Sequence, residues 1–324
     1  MKKFIASIIS TIFFGSLVFA QLTEFSQGDI LSAGAMNQNF SHLQNQFSLN
    51  KKEIDCSSDN LTATINQGYN HIVINGNCSV KNLFIGLFDI SPYCNHSQAN
   101  NNIQRLMISG KTGKSSDTLT INGSANCDSQ IGVFHGGSLN VSDITINLSG
   151  SIMSSNSGNI RMRNVIVAGG SSGSTIIAQR VGSITLENFT TTTHGIGADS
   201  GSNLEADNTS ILNLEVQHNS SAYIKNSTIN CSAKDINCVE VEKMSSIYFE
   251  TTTITGGANK DAINIGSTSQ VDLYDSTVNS TKTSSIQVEG PLSYLNTDSN
   301  TTINGTVTCG NDVRAWKDGT DLCP

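Results

Sequence analysis

The chain has 324 residues, a formal net charge of -8, 14% charged and 37% hydrophobic residues, three prolines and eight cysteines. An acidic balance of this size argues against nucleic acid or an anionic membrane surface as the main partner. Serine, threonine, asparagine and glycine abound, but the apolar residues recur at regular intervals, which separates the chain from a disordered polar tract.

Residues 1–20, MKKFIASIISTIFFGSLVFA, place Lys2 and Lys3 before a short apolar run ending in Val18-Phe19-Ala20. This pattern predicts a cleaved secretory signal peptide, with no membrane span after cleavage. The expected location is therefore secreted, periplasmic or cell-surface, in a bacterium. Residues 21–53 form a second segment, in which Met36, Phe40, Leu43 and Phe47 step by four, three and four. That seam predicts a short amphipathic helix. The stretch FSQGDILSAGAMNQNFSHL resembles openings of tail-fibre-like exported proteins that associate as trimers. The resemblance implies a homotrimer through residues 33–50; the alternative is a helix folded back on its own chain.

Next comes DNLTATINQG, with Leu61 and Ile65 four apart and Gly68 as a stop, which predicts a short helix covering the end of whatever follows. The stretch CSVKNLFI (78–85) then alternates Cys78, Val80, Leu83 and Ile85 about Asn82. Residues 86–128 keep the pattern poorly and read as irregular, with an excursion around 92–102.

From residue 137 one line is written repeatedly: apolar, x, apolar, x, Asn or Asp, apolar, x, apolar. The first copy is Leu139, Val141, Ile144, Ile146, with Asp143 between the pairs. It recurs from Ile160 (Asn164), Ile184 (Asn188), Leu204 (Asn208), Ala222 (Asn226), Ile247 (Thr251) and Val271 (Asp275), with starts 18 to 25 residues apart. Period-two alternation predicts two short strands buried on one face. Asn or Asp at the junction suits a left-handed corner. A third strand lies eight residues before each start, at Ile131/Val133, Ile152/Ser154, Ile176/Ala178, Ile196/Ala198, Leu214/Val216, Val239/Val241 and Ile263/Ile265. Only the arc between the second strand and the next third strand varies.

Three fixed strands, two fixed corners and one elastic corner predict an all-β solenoid, a parallel β-helix of three short strands per coil with a short N-terminal helical cap. Crossovers of one sense make it right-handed. The coils begin near residue 70, the β-helix with its cap spans 54–308, and 309–324 form a tail. All eight cysteines follow the signal peptide, and an even count in an exported chain reads as disulfides. Near neighbours are favoured in an elongated stack, which predicts Cys56–Cys78, Cys94–Cys127, Cys231–Cys238 and Cys309–Cys323.

The segment IDCSSDNLTATINQGYNHIVINGNCSV followed by the coils resembles exported bacterial proteins of the pectin-lyase-like, right-handed β-helix superfamily. That superfamily holds lyases, hydrolases, tailspikes and adhesins, so it does not name a reaction. The carboxylate pattern of polygalacturonases is mimicked only by Asn259-Lys260-Asp261, which reads as ordinary corner chemistry, and by Thr193-His194-Gly195, a partial element that is out of order. No metal site and no cofactor is expected.

Outward positions of the first template strand gather Glu187, Glu205, Asp207, Glu250 and Asp272 among Arg161, Arg163 and Lys225. Tyr223 and Tyr248 occupy equivalent outward positions, and Tyr274 lies two residues along from the equivalent Asp272. Rings beside carboxylates suit sugar hydroxyls; a purely structural aromatic and charge ladder is the competing interpretation. The outward row on the second strand, from Thr145 to Thr277, reads as strand filler. The expectation is an exported, non-catalytic binding protein contacting a glycan or cell-surface polymer through Tyr223, Tyr248, Tyr274, Glu205, Asp207, Glu250 and Asp272. The alternative is a polysaccharide lyase or glycoside hydrolase with an unfamiliar active site.

Overall fold

Leu139, Val141, Ile144 and Ile146 are each at most 2% exposed, while the residues between them point outward. The computed structural model in which this is seen describes residues 50–86, 103–123, 130–170, 175–257 and 259–323. The predicted signal peptide, the predicted seam from Met36 to Phe47, the predicted excursion at 92–102 and the predicted Cys94–Cys127 pairing fall outside the described residues. All described residues belong to the unit Asn50–Pro324.

The fold is a parallel β-solenoid of about ten turns with almost no helix. Its strands pair in three ladders. The first is a thirteen-stranded sheet that begins with Lys51–Asp55 and His71–Asn75 and continues through Arg105–Gly110, Ser138–Ser142, Asn159–Arg163, Ser183–Glu187, Asn203–Asp207, Ser221–Lys225, Ser246–Glu250, Gln270–Tyr274 and Tyr294–Thr297. Arg314–Lys317 is its last parallel strand, closed by an antiparallel pairing with Thr320–Asp321. The second and third ladders share an eighteen-stranded sheet because Thr277–Val288 and Thr302–Cys309 run through the corner and serve both. The inward residues of all three ladders form one continuous apolar core. Its alternating pattern leaves every second side chain on the outer faces.

The template's corner residues behave as their chemistry requires. Asp143, Asn164, Asn188, Asn208, Asn226, Thr251 and Asp275 all have φ between 49° and 58°. Their amides reach across the coil spacing: Asn164 N–H donates to the Glu187 carbonyl at 2.8 Å, and the Asn164 side-chain amide to Asp143 Oδ1 at 2.6 Å. The corner from the third ladder back to the first is left-handed too. Two residues before seven of the first-ladder strands, Ser157, Val181, Asn219, Met244, Thr268, Leu292 and Asp312 have φ between 58° and 64°. Val181, Met244 and Leu292 are 64%, 65% and 77% exposed there, so bulky side chains sit in a conformation that disfavours them, with no burial to offset it.

One residue further along, backbone crowding selects small residues. A Cβ on Gly158 would lie 2.2 Å from the Val133 carbonyl oxygen, and one on Gly182 2.4 Å from that of Ser154. Later coils place Ser202, Ser220, Ser245, Ser269 and Ser293 at this position, buried. Adjacent ones are linked by N–H to hydroxyl bonds such as Ser202 to Ser220 at 3.2 Å.

Two features of the N-terminal end differ from expectation. Parallel pairing starts at Lys51, not near residue 70: Lys51 pairs with His71 and Asp55 with Asn75. Lys51–Asp55 has a single buried residue, Ile54, so no alternation announces it. The stretch 78–85 is a pair of strands, but on the second and third ladders: Cys78 pairs with Leu119 and Leu83 with Ile131. Its two-residue corner, 81–82, matches the template's first corner, 143–144, in length, and alternation alone does not tell which two ladders it joins. The predicted helix is Leu61–Asn66, capped by the Asn60 side chain, with Leu61 and Ile65 in the core and Gly68 at φ 88° behind it. It follows the first strand of the stack.

Two buried polar groups tie coils together. The Asp117 carboxylate is 0% exposed and accepts from Gly76 N–H at 2.8 Å, Thr112 N–H at 2.6 Å, Thr112 hydroxyl at 3.0 Å and Gly113 N–H at 3.0 Å. The His194 ring is 0% exposed, with Nε2 3.1 Å from the Gly150 carbonyl and Nδ1 3.0 Å from the Thr193 hydroxyl. A carbonyl only accepts, so Nε2 carries the proton and Nδ1 accepts from Thr193.

Three of the predicted disulfides are formed: Cys56–Cys78, Cys231–Cys238 and Cys309–Cys323. Such bonds mark an oxidising, extracytoplasmic environment. Cys231–Cys238 closes the long elastic corner across seven residues. Replacing both cysteines by alanine should lower stability by about 2 to 3 kcal/mol and leave the ladders paired. Urea unfolding would measure the loss; collapse of the whole far-ultraviolet β signal at room temperature would contradict it.

Candidate functional site: the outer face of the first ladder

The first ladder presents its outward side chains in columns, because the register is conserved from strand to strand. In the middle column Glu205 pairs with Tyr223, Tyr223 with Tyr248, Tyr248 with Asp272, Asp272 with Asn296 and Asn296 with Trp316. Beside it runs a column of smaller polar residues, Ser183, Asn203, Ser221, Ser246 and Gln270. The difference in height between these columns leaves a groove of about 540 Å³ across five coils, with Thr185, Glu205, Tyr223, Tyr248 and Asp272 along one side.

The three tyrosine rings touch in sequence, the first pair tilted by 50° and the second stacked. Tyr223 and Tyr248 have centroids 5.3 Å apart, and Tyr248 and Tyr274 are 5.0 Å apart with ring planes 23° from parallel. Tyr274 belongs to the next column, where it is displaced by two residues, yet its ring reaches back to Tyr248. The Tyr223 hydroxyl donates to the Glu250 carboxylate, and this bond pushes the phenol up to about 12. Burial, then the Glu250 charge, raises Tyr248 as well. Asn296 donates to the Tyr274 hydroxyl at 3.1 Å and to Asp272 at 3.2 Å. Gln270 holds the other oxygen of Asp272 at 2.6 Å.

Of the residues expected from the sequence, Tyr223, Tyr248, Glu205 and Asp272 line the groove. Tyr274 and Glu250 stand behind it as partners of those rings. Asp207 lies outside, accepting from the Asn226 amide at 2.9 Å. Glu205 and Asp272 are three strand spacings apart, about 14 Å, beyond the roughly 5 to 10 Å separating a glycosidase's two carboxylates. The two partial polygalacturonase elements are elsewhere, with their titratable residues buried and partnered: His194 is enclosed as above, and Asp261, 4% exposed, meets Lys282 Nζ at 2.9 Å, while Asn259 and Lys260 are exposed. Trp316 and Tyr294 were missed, although Val307 and Ala315 repeat the eight-residue offset and would have placed the tryptophan in the column.

A second groove of about 240 Å³ lies on the same face nearer the N-terminus, between Arg105, Met107, Asn140, Ser142, Arg161 and Arg163. Among the described residues no cluster of three or more His, Cys, Asp or Glu side chains is placed to hold a metal ion. The fold and face together define a parallel β-solenoid with a grooved, aromatic and acidic flank. No protein-family model matches the chain, and no curated protein or solved structure matches it.

Proposed function

We propose that the chain is an exported, non-catalytic binding protein of the right-handed, pectin-lyase-like type, which holds a glycan or cell-surface polymer along the outer face of the first ladder. The observation carrying this reading is the groove itself: five coils in unbroken register, with a tyrosine side and a floor of small polar residues. Serine, asparagine and glutamine side chains offer donors and acceptors to sugar hydroxyls, and the rings supply apolar edges. Glu205 and Asp272 in the lining, with Glu187, Asp207 and Glu250 nearby, repel polyuronates and favour a neutral or amino-substituted chain.

The test is a glycan panel of neutral, amino and uronate polymers against the mature protein. Tyr223→Ala and Tyr248→Ala should each weaken binding of a neutral or amino glycan about tenfold and shift stability by no more than about 1 kcal/mol. Strong destabilisation with unchanged binding would make the tyrosines structural. Release of reducing or unsaturated ends from any polymer would replace the binding reading with the lyase or hydrolase one.

A further inference from the structure

The chain has five arginines, and three of them, Arg105, Arg161 and Arg163, line one groove of an acidic protein. In a charge ladder that only stabilises the sheet, each would face a carboxylate on the neighbouring strand. They do not. Arg163 is directly opposite Glu187 in the register, yet the Glu187 carboxylate turns to Arg161, at 3.4 Å. Arg105 has Ser138 opposite it. Among the described residues neither Arg105 nor Arg163 has a carboxylate within salt-bridge distance, and Arg161 has this one long contact, its side chain 56% exposed.

From these observations we infer a second binding site, an anion site for successive oxyanion substituents on an extended polymer, independent of the tyrosine groove. Guanidinium groups present planar, paired donors that match carboxylate and sulfate oxygens. Arg161 and Arg163 are two residues apart on one strand, roughly 7 Å, and Arg105 is two strands away, roughly 10 Å along the axis. That spread suits repeated charges on a chain better than a single small ion. Met107 gives the floor an apolar patch, and Asn140 and Ser142 add neutral hydrogen-bonding groups. The net charge of -8 disfavours long-range attraction to nucleic acid or membrane, so the site acts at short range on a polymer already alongside. Glu187 competes with the ligand for Arg161.

The experiment uses the full mature protein at low salt with three probes: dextran sulfate, polygalacturonate and neutral dextran. The site predicts saturable binding of at least one of the two polyanions, and which of them binds separates sulfate from carboxylate. Arg161→Gln/Arg163→Gln should weaken that binding at least tenfold, Glu187→Gln should strengthen it several-fold, and Tyr248→Ala should leave it unchanged. Arg105→Gln is the second variant, needed if the double variant melts early. No binding of either polyanion overturns the inference, as does equal binding by wild type and the arginine variants. Failure of neutral glycans to bind would bear only on the tyrosine groove.

Discussion

Asp117→Ala is expected to lower stability by about 2 to 4 kcal/mol. The substitution removes the buried acceptor of three backbone N–H groups and a hydroxyl, each of which gave a charge-assisted bond to the carboxylate from a half-buried or exposed residue. Gly76 follows the strand His71–Asn75, so the loss also unties one coil from the next. Burial pushes the Asp117 carboxyl up, but the bonds from Gly76, Thr112 and Gly113 outweigh it and hold the group below the usual carboxylate range. A depressed folded value stabilises fully above the unfolded value of about 3.9 and is lost as the pH falls through the folded one. Urea titrations of wild type and Asp117→Ala should therefore differ widely at pH 7 and converge in strong acid. A difference that does not change with pH would show that the charge is not what matters.

The second large effect comes from His194 and appears at milder acidity. Burial lowers its pKa, against the opposing influence of the Gly150 carbonyl, so the folded ring stays neutral where the unfolded ring takes a proton. Its contribution is present above the unfolded value of about 6.5 and is lost as the pH falls through the lowered folded value, at up to about 1.4 kcal/mol per pH unit. His71 is shifted the same way, by burial and by Lys51, so the informative quantity is the difference between wild type and His194→Gln. Melting temperatures from pH 7 to 5 should drop more steeply for wild type. Parallel curves would show that His194 binds a proton as easily folded as unfolded.

Much of the solenoid was legible because its coils repeat a register, and a register is written in spacing. The eight-residue offset from Ile131 to Leu139 recurs through Ile263 to Val271, and the left-handed corners could be read wherever Asn or Asp filled them. The other left-handed corner was invisible because Val181, Met244 and Leu292 have no preference for such angles. The extra residue between Ile286 and Leu295, near Gly290-Pro291, was equally unannounced. For the site, alternation placed Tyr223 and Tyr248 in one column, but it did not show that their rings lean together or that Tyr274 reaches across from the next column. Those depend on side-chain torsions. Nor did it show the direction in which Glu187 turns, which decides which arginines remain free.

A stack in which each coil touches only its neighbours melts from its ends, where a coil has support on one side only. The covalent links answer to that geometry. Cys56–Cys78 joins the chain leaving the first strand to the coil above it, and Cys309–Cys323 pins the segment after the last parallel strand back onto Thr302–Cys309. Unzipping from either terminus must begin within a closed loop, where little entropy is gained until the loop itself is passed. The two bonds therefore act as end stops on a one-dimensional column. Reduction should turn a structure that resists fraying into one that opens coil by coil, with the grooved middle the last part to go.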